Sequence, residues 1–225
     1  MADAEIQFLK ENLLKTCRRL AEKGFVAATD GNISARLADG RVLVTPSARN
    51  KADVENEELI IVGMDGRVLE GIGRPSTEFA MHSFIYGARP DVRAVVHAHP
   101  PFATAFAAAR IPLDGLVFPE VIVAFGKIPL AEYATPSTPE VAASIEPLVK
   151  QYNAIMLSNH GVVTCGASLD EAYDRMEKTE HTAKVAYLVR QLGGAKELSR
   201  KQVEELASVS ERSYGKKIDL EQLFS

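Results

Sequence analysis

Apolar residues recur at three- and four-residue intervals over residues 6–23. Ile6, Leu9, Leu13, Leu14, Cys17 and Leu20 share one helical face, and Gly24 follows where a helix stops. The period then shortens to two. Ile33-Ser34-Ala35-Arg36-Leu37 and Arg41-Val42-Leu43-Val44-Thr45 flank Ala38-Asp39-Gly40, which predicts two strands joined by a tight Asp-Gly turn. Residues 59–62 and Val68-Leu69 repeat the pattern around Asp65-Gly66. Past Pro75 the spacing predicts a helix over 77–86, a strand over 94–99, a helix over 102–109 and a strand near 121–124. It then predicts a helix over 139–151, a strand over 154–158 and a long helix over 169–192. A polar tail from Ser199 holds a short helix with Arg200, Lys201, Glu204 and Glu205, and runs on to Tyr214.

Early strands linked by tight turns and later strands separated by helices predict an α+β chain. Its expected architecture is one mixed, mainly antiparallel sheet with helices on both faces, an α/β/α sandwich forming a single domain over residues 1–225. The length of 225 residues, 46% hydrophobic and 25% charged, fits one such core. The 26 Lys and Arg against 30 Asp and Glu are scattered, with no basic stripe to track a nucleic acid, so no nucleic-acid partner is expected. Cys17 and Cys165 stand far apart in no metal-binding or disulfide spacing, which points to a reducing, cytoplasmic compartment. No basic start with an apolar run opens the chain and no stretch is long enough to cross a bilayer, so neither export nor a membrane is expected.

The sharpest chemical signal is Val95-Val96-His97-Ala98-His99-Pro100. Residues two apart on a strand face the same way, so His97 and His99 present two imidazoles on one side. Alone, such a pair is equally an ordinary pair of polar residues at a strand end. His160 is the candidate third ligand, because the apolar run Ile155-Met156-Leu157 delivers Asn159-His160-Gly161 to a turn. Three histidines without thiolates would leave zinc an open position, the mark of a catalytic site. Glu78 follows Pro75-Ser76-Thr77, where Ser76 or Thr77 caps the expected helix and the acid falls in its first turn. His82, four residues on, shares that face as a packed residue or an alternative ligand. Thr29-Asp30-Gly31-Asn32-Ile33-Ser34 and Thr45-Pro46-Ser47-Ala48-Arg49-Asn50-Lys51 read either as plain turns or as anion cradles.

Gly31-Asn32-Ile33-Ser34, Thr45-Pro46-Ser47, Pro75-Ser76-Thr77-Glu78, His97-Ala98-His99 and Asn159-His160-Gly161, in this order, resemble the class II aldolase/adducin family over nearly the whole chain. The resemblance implies one zinc ion per subunit on His97, His99 and His160, with Glu78 as the acid/base. It also implies a phosphate site of Gly31, Asn32, Ser47, Ser76 and Thr77, with Tyr214 of a neighbouring subunit as proton donor in a homotetramer whose sites lie between subunits. The implied reaction is cleavage of a ketose 1-phosphate of the L-fuculose-1-phosphate type, through an enediolate, to dihydroxyacetone phosphate and an aldehyde. Decarboxylation of a sugar-acid phosphate and dehydration of methylthioribulose 1-phosphate are alternatives on the same residues. A non-catalytic, adducin-like interaction module is a further one, opposed by the complete set of three histidines and Glu78. Three departures bear on the aldehyde side: Ala48 stands where the phosphate loop often has Gly, Phe118 stands in the place of a second tyrosine, and the stretch from Leu113 into Phe118, within the 113–127 loop, does not match.

Overall fold

The computed structural model describes residues 2–215 and 217–224; the side chains of Ala2, Tyr214 and Gln222 lie outside what is described. Eight strands form one sheet: β1 Asn32–Arg36, β2 Val42–Val44, β3 Ile60–Val62, β4 Val68–Glu70, β5 Ala94–Ala98, β6 Leu130–Ala131, β7 Ala154–Leu157 and β8 Gly161–Gly166. Their order is β4-β3-β2-β1-β5-β8-β7-β6, and every pairing is antiparallel except β6 with β7. Both Asp-Gly turns join antiparallel neighbours, as the alternation over their flanks predicts.

Helices cover both faces, which gives the expected α/β/α sandwich. Alternation along β5 shows how: Ala94, Val96 and Ala98 enter one core with α1 (Ala2–Glu22), α3 (Pro101–Ala108) and α6 (Leu169–Gln191). Val95 enters the other, with α2 (Phe79–Ala88) and α5 (Glu140–Val149). The two-residue period therefore turns His97 toward the α2 face. On β1, paired with β5, Asn32 lies opposite His97 and Ser34 opposite Val95. A small third cluster joins α4 (Pro119–Phe125) to α7 (Arg200–Tyr214) and α8 (Leu220–Phe224) through Ile122, Val203 and Leu223.

Three expectations are corrected. Residues 121–124, expected as a strand, belong to α4. Their β-branched, apolar run is too short for its period to discriminate, whereas Pro119 at the first helical position, Glu120 in the first turn and Gly126 at φ 73° are helix boundaries. The helix expected over 77–86 begins at Phe79, so Glu78 occupies its cap position and not its first turn. Two strands go unsignalled: β6 is two residues long, and β8 is a short run between glycines, Val162-Val163-Thr164-Cys165, buried on both faces and therefore without a clear polar alternation. The tail helix is longer than expected, with Ser199 and Gln202 forming a capping box and Gly215 closing it at φ 65°. Among the described residues no helix is long and apolar enough to cross a membrane.

Candidate metal centre and anion cavity

His97, His99 and His160 come together from two places in the sheet. Strand pairing on β5 ends at Ala98, and the chain is still held at His99, whose N–H donates to the Phe25 carbonyl at 2.9 Å. His160 lies in the β7–β8 turn, where Asn159 adopts φ 56° and Leu157 pairs with Gly161. One ligand nitrogen from each ring lies within 4.8 Å of the others. Two glycines make this convergence sterically possible. A Cβ on Gly161 would stand 2.5 Å from both the Ala98 carbonyl oxygen and His99 Cδ2. A Cβ on Gly31, at φ 73°, would stand 2.8 Å from the His97 carbonyl oxygen.

Polar partners fix which nitrogen of His97 and of His99 faces inward. His97 Nδ1 lies 2.9 Å from the Val162 carbonyl oxygen, an acceptor only, so the proton is on Nδ1 and the Nε2 lone pair points into the site. His99 Nδ1 faces Asp30 Oδ2 at 3.5 Å, which likewise turns its Nε2 inward, 3.2 Å from His97 Nε2. Burial first, then the neighbouring His160 and His99, holds the pKa of His97 well below its ordinary value. Burial also lowers that of His160, partly offset by Glu78. Both rings are thus neutral and ligand-competent at neutral pH.

Glu78 completes the cluster. Its Oε2 lies 3.3 Å from His97 Nε2 and its Oε1 3.2 Å from His160 Nε2. The carboxylate occupies a helix cap position yet makes no cap hydrogen bond; it turns to the histidines, held by Asn32 Nδ2, which donates to Oε2 at 2.8 Å. Glu78 Oε1 is a buried oxygen with no hydrogen-bond partner. Inward lone pairs 3.2 Å apart beside such a carboxylate are a donor set that a divalent cation fits and relieves.

A polar cavity of about 350 Å³ opens beside the cluster. Glu78, His99 and His160 line it together with Gly31, Asn32, Ser47, Ser76 and Thr77. The Pro46 to Pro75 bridge and the Ser47 N–H, donated to the Arg74 carbonyl at 2.8 Å, bring the two loops together. Ser76 Oγ accepts from the Glu78 N–H at 3.2 Å, and Thr77 Oγ1 lies 2.6 Å from Ser137 Oγ. Ala48 adopts φ 56°, the left-handed conformation that glycine takes without strain. Tyr214 ends α7, and its side chain lies outside the described residues. Phe118 lines a separate pocket with Leu113 and Val121.

Sequence reasoning placed Asp30 and Lys51 in the two candidate cradle segments without giving either a role, and did not single out Ser137. Lys51 is 2% exposed and is the one Lys or Arg among the described residues lining the cavity. Its Nζ donates to the Thr29 carbonyl at 2.9 Å and the Arg49 carbonyl at 2.7 Å, tying together the loops before β1 and after β2. Burial lowers its pKa. A buried ammonium stabilises an anion beside it, so Lys51→Met is expected to raise KM for a phosphorylated substrate ~10-fold or more with a smaller effect on kcat. Steady-state kinetics of the variant check this, as does thermal melting with inorganic phosphate, which is expected to stabilise the native chain and not the variant.

A three-layer sandwich with a His-x-His strand end, a third histidine from the adjoining hairpin and a glutamate at a helix start defines a fold and site of the class II aldolase type. The chain belongs to that family: residues 11–187 match the Class II Aldolase and Adducin N-terminal domain. It is 32% identical over 191 residues to 3-oxo-tetronate 4-phosphate decarboxylase of Escherichia coli, covering 81% of this chain and 88% of that one. It is also 32% identical over 182 residues to L-fuculose phosphate aldolase of Methanococcus maripaludis, covering 80% and 97%. A solved L-fuculose 1-phosphate aldolase superposes with TM-score 0.82 at 30% identity, over 89% of this chain and 94% of that one.

Proposed function

We propose that this chain is a zinc-dependent carbon-carbon lyase that cleaves a ketose 1-phosphate of the L-fuculose-1-phosphate type. The observation that carries the proposal is the Glu78 carboxylate turned away from its helix cap onto the cluster of three imidazoles, in a cavity that hydroxyl, amide and glycine residues also line. His97, His99 and His160 would hold the ion, which when bound supplies a Lewis acid toward the substrate carbonyl.

The chain's own residues supply the rest. Hydroxyl and backbone donors of Gly31, Asn32, Ser47, Ser76 and Thr77, with Lys51 behind them, hold the phosphate and so fix which carbons reach Glu78. The C3–C4 bond breaks, its electron pair stays with the three-carbon phosphorylated half, and the C4 hydroxyl loses its proton as C4 becomes an aldehyde. Glu78 delivers a proton to C3, completing dihydroxyacetone phosphate. Tyr214, from a neighbouring copy in a homotetramer, is the proposed carrier of the C4 hydroxyl proton.

A second reading, decarboxylation of a 3-oxo sugar-acid 4-phosphate, is favoured by Phe118, which lacks the hydroxyl expected there, and by the similarity to the Escherichia coli decarboxylase. Departure of carbon dioxide needs no base at the leaving carbon and leaves the same three-carbon half for Glu78 to protonate. The test is incubation of zinc-loaded protein with L-fuculose 1-phosphate and, separately, 3-oxo-tetronate 4-phosphate, with each product measured. Dihydroxyacetone phosphate with an equal amount of aldehyde is expected; carbon dioxide in its place selects the second reading, and no triose phosphate from either substrate overturns both.

A further inference from the structure

Beneath Glu78, on the α2 face of the sheet, lies a line of buried polar groups with no part in the reaction as proposed. Ser34 Oγ lies 2.8 Å from Tyr86 Oη and 2.7 Å from His82 Nδ1. Each of the three residues is 1% exposed. Apolar side chains would fill this core without the desolvation cost that each unmade buried hydrogen bond carries, so a polar line here calls for a reason.

One assignment of protons satisfies the line. Tyr86 donates to Ser34, Ser34 donates to His82 Nδ1, and His82 carries its own proton on Nε2. That Nε2 is buried with no hydrogen-bond partner, and so is Asn32 Oδ1. Both side chains, with Thr45 and Ser76, line one small space of about 10 Å³, room for at most a single water. Asn32 has only one workable orientation, because its Nδ2 donates to Glu78 Oε2 at 2.8 Å and a reversed amide would set oxygen against carboxylate.

We propose that His82 is a positioning residue for Glu78: one buried water accepts from His82 Nε2–H and donates to Asn32 Oδ1, holding the Asn32 amide with its NH2 group toward the carboxylate. The line then runs from Tyr86 through Ser34, His82, the water and Asn32 to Glu78, about two helical turns from where it began. Burial keeps His82 neutral, with its pKa lowered to about 3, so it acts as a fixed dipole and not as a charge. The inference rests on the proposed role of Glu78 and extends it to a residue that touches neither substrate nor ion.

The test compares His82→Phe, which keeps a ring and loses both nitrogens, with His82→Gln, which retains an N–H donor, in the metal-loaded full chain. For His82→Phe, native metal content, KM within about threefold and kcat lowered ~10- to 100-fold are expected, with His82→Gln recovering most of the loss. Unchanged kcat in His82→Phe, or a loss that tracks lost metal, overturns the proposal. Two measurements need no turnover. Nitrogen-15 NMR of the metal-free chain is expected to find His82 as the neutral Nε2–H tautomer. Crystal structures are expected to hold the bridging water in the native chain, to lose the Asn32 to Glu78 hydrogen bond in His82→Phe, or in His82→Leu should the phenylalanine variant not fold, and to keep that bond in His82→Gln. An Nδ1–H tautomer, or an intact Asn32 to Glu78 bond with the nitrogen removed, overturns the positioning role whatever substrate the enzyme cleaves. Failure of the native enzyme to release triose phosphate instead overturns the proposed function alone.

Discussion

Glu78→Gln is expected to keep its metal and to lose turnover by ~10²- to 10⁴-fold, the span that general acid/base groups contribute. The substitution preserves shape and keeps one oxygen to accept the Asn32 N–H that Glu78 Oε2 now accepts. The three imidazoles are untouched: Val162 still orients His97 and Asp30 His99, while the tight β7–β8 turn still places His160. What the amide cannot do is deliver a proton. The measurement is kcat by triose phosphate release beside metal content by emission spectroscopy on the same sample. Turnover within a few-fold of native assigns the proton transfer elsewhere, and parallel loss of metal and turnover makes Glu78 chiefly a ligand.

Removal of one imidazole is expected to act on the other half of the site. His99→Ala is the informative choice, because its side chain is 25% exposed and buries least of the three; that of His97 is 0% and that of His160 12% exposed. Loss of a partner that merely orients a ligand costs metal affinity ~10- to 100-fold, so loss of the ligand itself should cost at least ~100-fold. A bound ion at a hundred times its Kd stabilises the fold by about 2.7 kcal/mol. Chelation should therefore lower the Tm of the native chain and leave that of His99→Ala almost unmoved. A His99→Ala protein with full metal content and a native response to chelator would remove His99 from the ligand set.

Much of the scaffold is local in origin and was legible for that reason. The helical stripe from Ile6 to Leu20 and the two Asp-Gly hairpins depend on neighbours a few residues away, and they fold as their periods predict. The segment around Val121 misled because four apolar residues satisfy both periods, and the deciding signals, Pro119 and Gly126, sit outside them. Strand β8 escaped because a central strand buried on both faces has no clear polar alternation.

For the site, the sequence by itself determined the donor types: His97 and His99 two apart at a strand end, His160 at a turn, and Glu78 behind hydroxyl residues. Only the tertiary structure decided that these groups meet, since β8 inserts beside β5 and the glycines at 31 and 161 clear the approach. It also decided the roles of Asp30, Lys51 and His82, three side chains that look like ordinary polar residues until their partners are in view. The physical reason is range: propensity and period are written over a few neighbours, whereas the direction of a lone pair and the burial of a charge depend on groups tens of residues away.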